Sequence, residues 1–150
     1  MQGNKAEAVR LFEEVRKQAS GGMLAAEASQ TLALLYAEDG RQKEAYDMLL
    51  PLKDQLSGPA LCLLHTLASE MNHSELVAEL SVNCYQLTPT REVAIRNARA
   101  FAALHQSEPA GGWLQTALQY GPMDLKTLLE DAIFDQVRND PIFRKFVEPS

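Results

Sequence analysis

At 150 residues the chain has room for one domain or two small ones, and its 46% hydrophobic and 23% charged residues are ordinary globular usage, which argues against wholesale disorder. A formal charge of -6 and a pI near 5.0 argue against a nucleic-acid backbone as the main partner, because neutralising phosphates takes a basic surface. Leu and Ala together number 42 and Val and Ile only 10, a bias toward helices, since unbranched side chains keep their rotamers in a helix and β-branched ones do not.

In chain order, apolar residues recur at steps of three and four between regular turn signals. Residues 5–18 put Ala8, Val9, Phe12 and Val15 on one stripe, ended by Ser20-Gly21-Gly22. Residues 23–38 follow and stop at Asp39-Gly40, and residues 41–56 close at Ser57-Gly58-Pro59. Residues 60–71 run into Asn72-His73-Ser74, and residues 75–87 end before Thr88-Pro89-Thr90, where Thr90 can cap a helix over 91–104. After His105-Gln106-Ser107, with Ser107 a candidate cap, a further helix reaches Tyr120 and stops at Gly121-Pro122. No segment alternates like a strand. Asp124 can cap a helix through Val137, and Asp140-Pro141 opens a last short one, with Asp at the cap and Pro at the first helical position.

Such short links force successive helices to lie antiparallel and side by side. Ala8, Ala45, Val77 and Ala110 begin the second helix of each pair at intervals of 37, 32 and 33 residues. The last pair has Ala98 and Phe101 on its first helix, Ala110, Leu114 and Ala117 on its second, and Pro122 beyond the end. Residues 23–56 repeat this with Leu32, Ala33, Tyr36, Gly40, Ala45, Leu49 and Leu52. The pair over 60–88 keeps Leu61, Leu64, Ala68 and Cys84, but places His65 at a tight position and Ser81 where a large apolar residue is expected. In period and pattern the chain resembles the tetratricopeptide repeat family, whose helix pairs are about 34 residues long.

The resemblance implies an all-α fold, a right-handed α-α superhelix of antiparallel helix pairs with C-terminal capping helices. It divides the chain into an array over 1–122, made of a half pair 3–20 and pairs 23–56, 60–88 and 90–121, and a helical cap over 123–150 packed on the array. It also implies that the first helix of each pair lines a concave groove. The residues this offers to a ligand are Glu27, Gln30, Thr31 and Leu34, then Cys62, Leu63 and Thr66, then Ile95, Arg96, Arg99 and Ala102. Arg96 and Arg99 could grip a carboxylate with planar forks of donors, or be a solvated face. Some members of the family clamp the C-terminal carboxylate of a chaperone with basic residues, but Glu27, Thr31, Pro59 and Leu63 stand at the corresponding positions here, so that role is not supported.

Chemistry-bearing patterns are few. Gly111-Gly112 follows no strand, so it is no phosphate loop, and close backbone approach or a late helix start is its expected use. Cys62 and His65 lie three apart on one helix, but a metal would need two further ligands, and a buried Cys beside a core His is the better reading. Cys62 and Cys84 make no disulfide framework.

The expectation is therefore a non-catalytic scaffold, with no cofactor and no metal, binding a protein or peptide segment in its groove, in the cytoplasm or on the reduced soluble face of a larger protein. The alternative is an interaction or regulatory module cut from a larger, soluble or membrane-associated protein whose remaining part carries the activity. An enzyme is the third reading. No apolar run approaches the ~20 residues that span a bilayer, so no direct membrane insertion is expected. The start Met1-Gln2-Gly3-Asn4-Lys5 does not read as a secretory signal. The incomplete first pair would leave an apolar face, which invites a homodimer.

Overall fold

The computed structural model of the chain describes residues 7–11, 13–14, 23–56 and 58–148. Among these the regular structure is all helical, without a strand, as the Leu and Ala bias requires. Residues 7–11 and 13–14 are helical. Much of the expected half pair over 3–20, with Phe12 and Val15 and the turn at Ser20-Gly21-Gly22, lies outside the described residues, and the homodimer face expected there lies outside with it.

Two compact units divide the chain, Met1–Leu67 and Ala68–Ser150. In the first, α1 (Met23–Glu38) packs on α2 (Gln42–Leu49), burying Leu32, Ala33, Tyr36, Ala45, Tyr46 and Leu49. Helix α2 is shorter than the 41–56 expected. Pro51 has no N–H to donate to a helical carbonyl, and the chain tightens into a 3-10 turn, Leu50–Leu52. Helix α3 (Gly58–Glu70) crosses from the first unit into the second.

The second unit continues with α4 (Ser74–Leu87), α5 (Arg91–Ala103) and α6 (Ser107–Leu118), α5 packing on both α4 and α6. Thr90 caps α5 as expected, its side chain accepting the Val93 N–H. Ser107 does not cap α6. Gln106 holds the cap position, and the Ser107 hydroxyl donates instead to Asp140 Oδ2 at 2.7 Å.

One local motif recurs down the chain. Gly40, Asn72 and His105 all take positive φ, 81°, 61° and 61°, just past the ends of α1, α3 and α5. The N–H that follows each reaches back five residues, Arg41 to Tyr36 O, His73 to Ala68 O and Gln106 to Phe101 O, at 2.8, 2.8 and 2.9 Å. This left-handed cap satisfies the last carbonyls of a helix and turns the chain sharply. Buried positions repeat at the same 32- and 33-residue intervals: Ala33, His65 and Ala98, then Ala45, Val77 and Ala110, then Leu49, Ser81 and Leu114.

Ser81, irregular in sequence, has a local explanation. Its hydroxyl bonds back to Ala78 O at 2.7 Å, and its carbonyl accepts the amide of the fully buried Asn97 at 3.2 Å, a hydrogen bond between α4 and α5. Polar pairing here takes the place of a large apolar plug.

The single helix expected over 124–137 does not form. Helix α7 (Leu125–Leu129) stops after little more than a turn, and a 3-10 turn, Ala132–Phe134, follows. Asp131 is extended at φ -62° and ψ 135°, and its carboxylate accepts the Ile133 N–H, so it acts as a fresh cap inside the expected helix. Arg138 donates to Leu129 O at 2.7 Å and Asp131 O at 3.1 Å, satisfying carbonyls that a continuous helix would have used. Asp124 and Asp140 cap as expected, accepting the Thr127 and Ile142 N–H groups. Helix α8 (Pro141–Val147) packs on α6, and Ala98, Ala102, Ala110, Leu114, Phe134, Val137, Phe143 and Val147 form one buried cluster.

Candidate functional site

Of the residues expected to line a groove, the second unit contributes those of α5. Val93, Ala94, Asn97 and Ala98 turn inward and are buried, which leaves Ile95, Arg96 and Arg99 half-buried at the edge of the packed face. A long guanidinium side chain suits such an edge, because its methylenes cover apolar surface while its donors stay in water.

Arg96 and Arg99 line one small polar notch of about 40 Å³, with Asn72, His73 and Ser74 from the α3–α4 turn on one side and Ile133 on another. The left-handed Asn72 delivers His73 and Ser74 to this place, so the notch is a product of the recurring turn. Arg99 Nη1 lies 2.9 Å from Asp131 Oδ2, in a pair that remains over one-third exposed on both sides. The Ile133 N–H and then the Arg99 guanidinium hold the Asp131 carboxyl below the usual carboxylate range.

Ala102 is not a surface residue. It is fully buried in the cluster with Phe134 and Val137, so it offers no surface to a ligand. The 3-10 turn at Ala132–Phe134 packs on α5, and with Arg99 tied to Asp131 the C-terminal segment already occupies the end of the face to which Ala102 was assigned. The remaining sequence candidates belong to the first unit. Glu27 is exposed on α1, Gln30, Thr31 and Leu34 are half-buried, and the Thr31 hydroxyl bonds back to Glu27 O at 3.2 Å. Thr66 on α3 does the same to Cys62 O at 2.9 Å, and Cys62 and Leu63 are half-buried beside a fully buried His65. The hydroxyl hydrogens of Thr31 and Thr66 are each engaged within their own helix.

Among the described residues, no group of three or more His, Cys, Asp or Glu side chains is arranged to hold a metal ion, and no helix is long and apolar enough to cross a membrane. Compared with known proteins, the chain matches no family model, no curated protein and no solved structure.

Sequence reasoning missed Asn72, His73 and Asp131 as parts of this region. Asp131 carried a legible signal, a carboxylate two residues ahead of Ile133 in the pattern of a turn cap. Asn72 carried only half of one, since Asn tolerates positive φ without requiring it.

Proposed function

We propose that the chain is a non-catalytic scaffold of tetratricopeptide type that holds a protein or peptide segment against α5. The observation that carries this reading is the recurrence of one helix, left-handed cap, helix unit at 32- and 33-residue intervals, with Ala33 and Ala98, and Ala45 and Ala110, buried at matching places and His65 and Val77 buried between them. A unit that cannot bury its apolar face alone is stabilised by a neighbour, and stacking such units is the physical basis of a superhelical array. In this reading α5 of the second unit presents Ile95, Arg96 and Arg99 to the ligand. Arg96 and Arg99 favour a carboxylate-bearing segment, since each guanidinium offers a planar fork of donors and the exposed Arg99–Asp131 pair exchanges for a better-placed carboxylate.

The test is selection of peptides from a random library on the immobilised chain, followed by titration of the winners against wild type and an Arg96→Glu variant. Acidic peptides that lose about ten-fold or more in affinity to the variant, a change of roughly 1.4 kcal/mol, support the proposal. Winners that bind both proteins equally overturn the assignment to α5.

A further inference from the structure

We infer that the C-terminal cap carries a second docking site, a cleft for a short acidic peptide segment with a large apolar side chain. It goes beyond the α5 face and does not share its residues. The cleft holds about 410 Å³, within the range of pockets that take small ligands or anchoring side chains. Its floor is apolar, from Leu125 and Leu129 of α7 and Val147 of α8. Its rim carries Lys126, Arg138 and Arg144 against a single carboxylate, Glu148.

The occupant follows from charge. Lys126, Arg138, Arg144 and Glu148 line the cleft, and with Arg138 paired to Asp135 and Arg144 to Glu148 the local balance is one positive charge on a chain of formal charge -6, so an acidic segment repelled by the chain at large is drawn to this spot. The cations differ in how they are engaged. Arg138 donates to Leu129 O and Asp131 O and pairs with Asp135 at 2.8 Å, so it is a fixed wall. Arg144 pairs with Glu148 one helical turn away, both half-exposed, and an exposed pair of this kind exchanges readily for a better-placed carboxylate. Lys126 is exposed and ion-pairs with no described residue. Lys126 and Arg144 therefore receive the ligand's carboxylates, while a Leu or Phe between those carboxylates covers Leu125, Leu129 and Val147.

The test is fluorescence anisotropy with a short fluorescein-labelled peptide alternating Asp or Glu with Leu or Phe. Lys126→Glu alone, and Lys126→Glu with Arg144→Glu, are expected to weaken binding by about ten-fold or more, and added salt to weaken it further. Arg96→Glu is expected to leave it unchanged, which separates failure of this site from failure of the α5 proposal. Equal binding to wild type and the double variant, or equal binding of a peptide with Asn and Gln in place of the acids, would overturn the assignment. Binding of a medium-chain fatty acid without binding of the peptide would overturn it too, in favour of a lipid ligand.

Discussion

Two adjacent glycines that look alike in sequence do different things in α6. A Cβ built on Gly111 would stand 2.6 Å from Phe146 Cδ2 and 3.0 Å from Phe146 Cβ and Cγ, so α8 lies directly against the α6 backbone there. A Cβ on Gly112 meets nothing within 4 Å. Gly111→Ala is therefore expected to destabilise the chain, since overpacking costs roughly 1–3 kcal/mol and outweighs the gain of up to ~1 kcal/mol in helix propensity. Gly112→Ala collects only the gain and is expected to stabilise by up to ~1 kcal/mol. Urea unfolding of both variants checks the pair, and shifts of the same sign would contradict the α6–α8 contact. Close backbone approach was legible in the sequence as one use for the Gly-Gly pair; which glycine makes it depended on where Phe146 arrives.

At the scale of elements, pairing rests on small residues where helices touch. Ala98 of α5 is fully buried with Ala102, Ala110 and Leu114. Ala98→Leu forces several methyl(ene) groups into that contact and is expected to cost roughly 1–3 kcal/mol, read as a lower thermal midpoint. An unchanged midpoint would mean that the contact is not tight. Element existence was well legible, because a helical stripe of apolar residues persists over many turns. Element ends were less so. Helix α2 and the 124–137 segment both broke early, at Pro51, which has no N–H to continue the helix, and at Asp131, whose carboxylate offers the Ile133 N–H a local alternative. The Arg138 guanidinium that holds the second break comes from beyond the helix end it satisfies, and helical periodicity does not register such a bond.

At the scale of the whole molecule, acid is expected to act on the second unit first. Asp124, Asp131 and Asp140 all have carboxyls held below their usual range, Asp124 by the Thr127 hydroxyl, Asp131 by the Ile133 N–H and Asp140 by the Ser107 hydroxyl. A carboxyl depressed in the folded state contributes stability that is complete above its ordinary value, about 3.9, and is lost as the pH falls through the lower folded one. Two of these contacts join separate elements, Asp140 with α6 and Asp131 with α5. In the first unit Glu44 is also held low, by Arg41, but that exposed pair spans three residues beside one helix and ties nothing together. Trp113, the single tryptophan, packs against the cluster of the second unit and stands edge-on to Tyr85 with ring centroids 5.1 Å apart. Below about pH 4 its fluorescence is expected to change before far-UV ellipticity is lost, and Asp140→Asn, which removes the titration but keeps a capping oxygen, to move that change to lower pH. Simultaneous loss of both signals would count against this order.

Most helices, their spacing and the caps at Thr90, Asp124 and Asp140 were legible along the chain, because they depend on neighbours three to five residues away. What comes from further off was not. Ala102 reads in sequence as one of a row of groove positions, yet the returning C-terminal segment buries it and draws Arg99 into a pair with Asp131. Burial and ion pairing between residues some thirty positions apart depend on how the chain comes back on itself, and hydrophobic periodicity carries no record of that return.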